Sequence, residues 1–356
     1  MSDPRHAFPV LSRRGFGLLL GAAGLSLRAS PGMAAPVAEK TVKVGPSLYE
    51  LAVSKSQNLL YVASTGPRNS DQAKLFGLDL RTLEVKSTIP LGHEAIFGLA
   101  VNDRTGLAYG TNAPVGKLVV VDLRAGSVKA VVTEGEGPHL REVVVDEANN
   151  RAFVTAFGIR DKPSGVWIVD TETNKVASVI SEGLEGGITG LAYDAKGDRL
   201  FTTALQKNEV VEISLAKKAA VRRFASGGDG AVNLAFDPAR GRLYCTNQKS
   251  GQLAVLDAAS GNAVKVIDTG AGALGVALSA DGGRAFVANR GAGTVSIVDT
   301  KGLAVLASLE TGTHPNTVAV DPRSGLAYVS NKNATGQRGA PPPEDPRGDT
   351  VSLISG

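Results

Sequence analysis

The sequence predicts an all-β protein, a seven-bladed β-propeller with four antiparallel strands in each blade. Three observations carry this expectation. One phrase recurs seven times, its apolar runs are four to seven residues long between turn residues, and 43 glycines accompany only 5% aromatic residues in 356. The single cysteine, Cys245, excludes an intrachain disulfide and a cysteine-based metal site. It lies in the strand-like run "RLYCTN" and is expected to be a small buried core residue.

From the N-terminus, the first element stands outside the propeller. Arg13 and Arg14 precede a glycine-containing apolar run, Phe16 to Leu27, and a small-residue stretch at Gly32-Met33-Ala34. The run is too short for a membrane span and has the order of a cleavable export signal. Ser12-Arg13-Arg14-Gly15-Phe16 resembles the twin-arginine signal of bacteria. Residues 1–34 are therefore expected to be the cleaved signal and 35–356 the propeller, in the periplasm. The signal holds four arginines against one aspartate, so 38 basic and 34 acidic residues become 34 and 33, a net charge of +1. Such a chain exerts no general pull on nucleic acid.

The repeated phrase comes next. Its first run appears as "LAVS" (51–54), "LAVN" (99–102), "VVVD" (143–146), "LAYD" (191–194), "LAFD" (234–237), "VALS" (276–279) and "VAVD" (318–321). The second appears as "YVAS" (61–64), "YGTN" (109–112), "FVTA" (153–156), "FTTA" (201–204), "YCTN" (244–247), "FVAN" (286–289) and "YVSN" (328–331). "VxxVD"-like third runs and a fourth apolar run ending near Gly complete each unit. Turn signals such as "DPARGR" and "DAASGN" join neighbouring strands. Four strands repeated at 42–48 residues are the signature of a propeller blade. An open solenoid would need caps, and none is visible.

The last unit, "GDTVSLISG", lacks a fourth run. "EKTVKVG" (39–45) has the period-2 pattern and final Gly of a fourth strand, so it is expected to pair with Thr350–Ser355 and close the ring. "GAGALG" (270–275) matches a dinucleotide fingerprint but opens no helix, and is read as a blade linker.

These units resemble the YVTN repeat, and their arrangement resembles the YncE-like family of exported seven-bladed propellers. "YCTN" and "YVSN" match closely, whereas "FVTA" and "FTTA" lack the Asn. The resemblance covers about residues 36–356 and implies the fold. It also suggests single-stranded DNA binding, which the scarcity of aromatics and the mature charge do not support.

Strand alternation places blade-to-blade connections and second-to-third loops on one face. That face holds the irregular loops 65–74, 157–165 and 332–349, the last reading either as a mobile lid or as a disordered loop. His93, His139 and His314 each precede an innermost strand there. They serve either as linker residues bonded to backbone, as a shared ligand-binding rim, or as a three-histidine metal site. Glu94, Arg141, Arg160, Arg290, Asn316 and Lys332 are the other expected rim residues, the cations suiting an anionic ligand.

The expected function is a periplasmic binding or scaffold module for a small molecule or protein at the channel mouth. The alternative is a metal-assisted lyase or hydrolase using the histidines. No cofactor is expected unless that metal is present. N-terminal sequencing of the exported protein should begin at Ala35, and Arg13→Lys with Arg14→Lys should leave the precursor uncleaved in the cytoplasm. A mature protein that still begins at Met1 would count against the signal.

Overall fold

The computed structural model describes residues 35–67, 70–135, 139–158, 163–334 and 343–356. The expected signal, Arg160, and positions 335–342 of the Pro-rich loop lie outside the described residues. Among the described residues, 28 strands form seven four-stranded antiparallel sheets, and one short 3-10 turn spans Ala113–Val115. The seven-bladed propeller expected from the repeat is the fold. No described helix is long and apolar enough to cross a membrane.

The strands are numbered in chain order. The innermost strands are β2 (Leu48–Ser54), β6 (Gly98–Asn102), β10 (Leu140–Asp146), β14 (Ile188–Asp194), β18 (Ala231–Asp237), β22 (Ala273–Leu278) and β26 (Pro315–Val320). Each packs against the next, and β26 packs against β2, so they ring a central channel. In each blade the second and third strands are buried on both faces, which is why "YCTN" and "QLAVLD" run apolar without alternation. The outermost strands alternate and leave Val85, Val131, Val221 and Val305 exposed.

There is no core within a blade. The seven apolar clusters each lie between two adjacent sheets; one, for example, joins Tyr61 and Leu75 of the first blade to Ile96 and Val119 of the second. A blade is thus stable only between neighbours. Cys245 and Trp167 are both buried in these clusters, as expected. Burial raises the Cys245 thiol to about 12, so it stays protonated and inert.

Each letter of the repeated motif has a task at these junctions. In two blades the Tyr hydroxyl reaches the next one: Tyr328 donates to the Leu80 carbonyl at 2.8 Å and Tyr109 to Asn174 Oδ1 at 3.2 Å, whereas Tyr61 donates to Gln57 within its own blade. The Thr or Ser clasps the next innermost strand. Thr111 donates to Arg141 O (2.7 Å), Thr155 to Thr189 O (2.7 Å), Thr203 to Val232 O (3.1 Å), Thr246 to Leu274 O (2.6 Å) and Ser330 to Tyr49 O (2.6 Å). Each such bond contributes about 1 kcal/mol. The Asn ties down the strand-four linker: Asn331 accepts from Gly312 N at 3.1 Å and Asn247 donates to Ser226 O at 3.1 Å. The Asp ending many third strands caps its turn, as Asp257 Oδ1 does by accepting from Ala259 N and Ser260 N.

The ring closes as the sequence predicts. β1 (Val37–Lys43) pairs antiparallel with β28 (Thr350–Ser355), Thr41 opposite Ser352 and Val42 opposite Val351, in the order β1-β28-β27-β26, where β27 is Ala327–Asn331. The Thr41 and Ser352 hydroxyls add a bond at 2.7 Å. Deleting residues 39–45 exposes the β28 edge and should give aggregated protein in size-exclusion chromatography with a lowered melting midpoint. A soluble monomer melting like the parent would refute this role for β1.

Candidate functional site

The innermost strands carry a local irregularity that builds the site. In six of the seven blades, the ladder between first and second strands is interrupted near its start, for instance between Leu48 and Leu51, Leu140 and Val143, and Ile188 and Leu191. A bulge breaks the two-residue alternation and re-aims side chains. Two consecutive residues per blade thereby reach the channel.

The ring nearer the irregular face is Tyr49, Phe97, Arg141, Thr189, Val232, Leu274 and Asn316, all of them lining a cavity of about 260 Å³. One residue deeper lie Glu50, Gly98, Glu142, Gly190, Asn233 and Thr317 in the same cavity, with Gly275 as the seventh equivalent. Glycine is required where neighbouring innermost strands approach closely. A Cβ on Gly190 would come within 2.6 Å of Asn233 Cα, and one on Gly275 within 2.7 Å of Asn316 O. Above both rings, Arg290, Gln248, Leu205 and Ala113 follow the second strands and frame the mouth.

Glu50 and Glu142 face the lumen, yet lie deep in the disc and away from bulk solvent. Burial first, and then the Glu142 charge, raises the Glu50 carboxyl well above the usual carboxylate range. Burial pushes Glu142 up to about 7. Their nearest donors are weak: Leu51 N gives 3.1 Å to Glu50 and Val143 N gives 3.4 Å to Glu142. Lys332 has its Nζ 3.7 Å from the Tyr49 ring centroid, and Tyr49 meets Phe97 edge-on at 4.9 Å. Burial, followed by the Arg290 charge, lowers the Lys332 amine to about 7.

Of the residues expected at the rim, Arg141, Arg290 and Asn316 line the cavity. Arg290 Nη1 donates to Asn316 Oδ1 at 3.1 Å, and the Arg141 guanidinium lies over the Phe157 ring at 5.1 Å. Lys332 stands beside them through its contact with Tyr49. The histidines are not among the cavity-lining residues. His93 is exposed. His139 and His314 occupy the corner where an innermost strand begins, and their carbonyls accept from Phe157 N (2.8 Å) and Lys332 N (3.1 Å). At equivalent corners Ser47, Gly187, Gly230 and Gly272 do the same. His314 has φ +46° there, beside +68° to +78° for the glycines, and its Nδ1 lies 3.2 Å from Asn333 O. Glu94 is held by Lys117 at 2.8 Å and Asn112 at 3.4 Å. Among the described residues no group of three His, Cys, Asp or Glu side chains is placed to hold a metal.

Reading the sequence by alternation missed Glu50, Glu142, Asn233 and Thr317. Each is the residue just before a repeated apolar run, or, for Thr317, before "VAVD". Aligning one position upstream of the runs gives Glu, Gly, Glu, Gly, Asn, Gly, Thr, a small-or-polar column that marks the lumen.

A raised carboxyl pKa stabilises the fold below its unfolded value, 4.5, and that contribution is lost as pH rises through about 7. Glu142→Gln should therefore raise the stability at pH 8, and with it the melting midpoint, by on the order of 2 kcal/mol of unfolding free energy, and change little at pH 4. Equal shifts at both pH values in thermal melts would show that the carboxyl is not strained.

No family model matches the chain. It is 32% identical over 275 residues to the uncharacterized protein YncE of Escherichia coli O157:H7, covering 72% of this chain and 74% of that protein. It is likewise 32% identical over 280 residues to YncE of Salmonella typhi, covering 74% and 75%. Among solved structures, a chain of Kuenenia stuttgartiensis hydrazine synthase shares the fold, with a TM-score of 0.68 at 16% identity over 82% of this chain and 94% of that one. The closed ring of seven bladed repeats and this shared identity place the chain in the YncE family of β-propeller proteins.

Proposed function

We propose that the protein is an exported binding module that takes a small polar ligand in the mouth of its central channel. The observation that carries this reading is the cavity of about 260 Å³, into which four charged side chains from three blades converge: Glu50, Arg141, Glu142 and Arg290. A concave site with a few placed polar groups and an apolar wall, here Tyr49, Phe97 and Leu274, is the usual form of a small-molecule site. The twin-arginine-like segment supports export to the periplasm. The histidine-metal alternative draws no support from this geometry, since none of the three histidines lines the cavity.

All but Phe97 of the two rings sit on strands, so most of the site is formed before ligand arrives. Such a site binds without the ordering cost that a loop-built site carries. Val232, half-buried on β18, offers a way to fill it without touching a blade junction core. Thermal-shift screening of the mature protein against a library of polar metabolites should find stabilising compounds. Val232→Trp should weaken them at least tenfold, while Val131→Thr on an outer strand should not. Stabilisation that survives the Trp plug would move the site elsewhere.

A further inference from the structure

The two charge sets of the channel are separated by depth. The deep ring holds two carboxylates, Glu50 and Glu142, and no cation; the rings above hold Arg141 and Arg290, with Lys332 beside them on Tyr49. Among the described residues none of these five side chains makes a salt bridge. Elsewhere in the molecule several half-buried charges are paired, as Arg199 is to Asp194 and Glu212, both at 2.9 Å. Arg141 is exposed, but Glu50, Glu142, Arg290 and Lys332 are half-buried, and leaving such groups unpaired within one cavity is costly, because each is partly desolvated without a partner.

We infer that the channel ligand is an amino-carboxylate zwitterion, its ammonium seated on Glu50 and Glu142 and its carboxylate held at the mouth by Arg290 and Arg141. This rests on the channel mouth being the binding site. An ammonium between the two carboxylates offsets one of their two charges and relieves their mutual repulsion, which no described residue does. Tyr49 and Phe97 flank the acidic pair in the ring above, and an aromatic wall suits an alkylammonium. At the mouth, the fork of Arg290 is already oriented by Asn316 at 3.1 Å, and a planar guanidinium matches a carboxylate. The cavity volume equals that of roughly nine waters, room for about six to ten non-hydrogen atoms. A zinc-like ion would find two carboxylates there and no third His, Cys, Asp or Glu among the described residues.

The test is calorimetric titration of the mature protein with 4-aminobutyrate, 6-aminohexanoate, butylamine, glutarate and calcium chloride. At least one amino-carboxylate should bind, butylamine more weakly, glutarate and calcium not at all. Glu142→Gln should weaken the amino-carboxylate at least tenfold while raising the melting midpoint at pH 8, so that lost binding cannot be lost folding. Arg290→Gln should weaken the amino-carboxylate but leave butylamine unchanged. Glutarate or calcium binding in place of the amines would overturn the ligand class and leave the mouth as the site. No binding by any amine probe would also overturn it, and the Val232→Trp comparison would then decide separately whether the channel binds anything.

Discussion

Every apolar cluster of this protein lies between two blades, and a ring of seven blades has seven such spaces only if the last blade meets the first. The pairing of β1 with β28 makes that meeting possible, because without it the closing sheet would have three strands and an open edge. The cluster between the seventh and first blades joins Tyr328, Val351 and Leu353 to Leu51 and Leu78, residues far apart in the chain. The channel, its rings and the site within it exist because the innermost strands are held in a circle by these outer contacts.

Much of this architecture was legible because the repeat is written in residues whose tasks are local and identical from blade to blade. Thr and Asn of the motif bond across a junction, so the same letter returns wherever the same bond is needed. Where the bond is absent the letter changes, as at Ala63 and Ala288 in the clasp position. The site was less legible for a related reason. Its residues are the ones that differ between blades, and a bulge hides them from any reading that assumes strict alternation. Of the three readings of the histidines, His314 fits the linker one: its left-handed corner commits its backbone to the fold, and its Nδ1 lies 3.2 Å from Asn333 O.

The scaffold and the lumen are built on opposite principles. At the junctions many polar groups are matched: Thr246 gives its hydroxyl proton to Leu274 O, and Asn331 bonds both Gly312 N and Ser352 Oγ. In the lumen two carboxylates face each other with little compensation, and a lysine is held on an aromatic ring near like charge. Stability supplied by the ring lets the channel keep groups in states that water would not allow. A fold made of seven near-identical units can tolerate such strain in a few positions because each junction contributes its own cluster.

The register of the closing sheet has a mechanical side. Val37 sits directly opposite Ser355, so the two ends of the folded chain leave the disc at the same edge of the same ladder. A force drawing those ends apart would load the backbone bonds one after another, in peeling, instead of sharing the load among all of them in shear. The propeller is thus weakest along the line between its own termini. Tethers placed on any two other blades would instead have to break several apolar clusters together before the ring gave way.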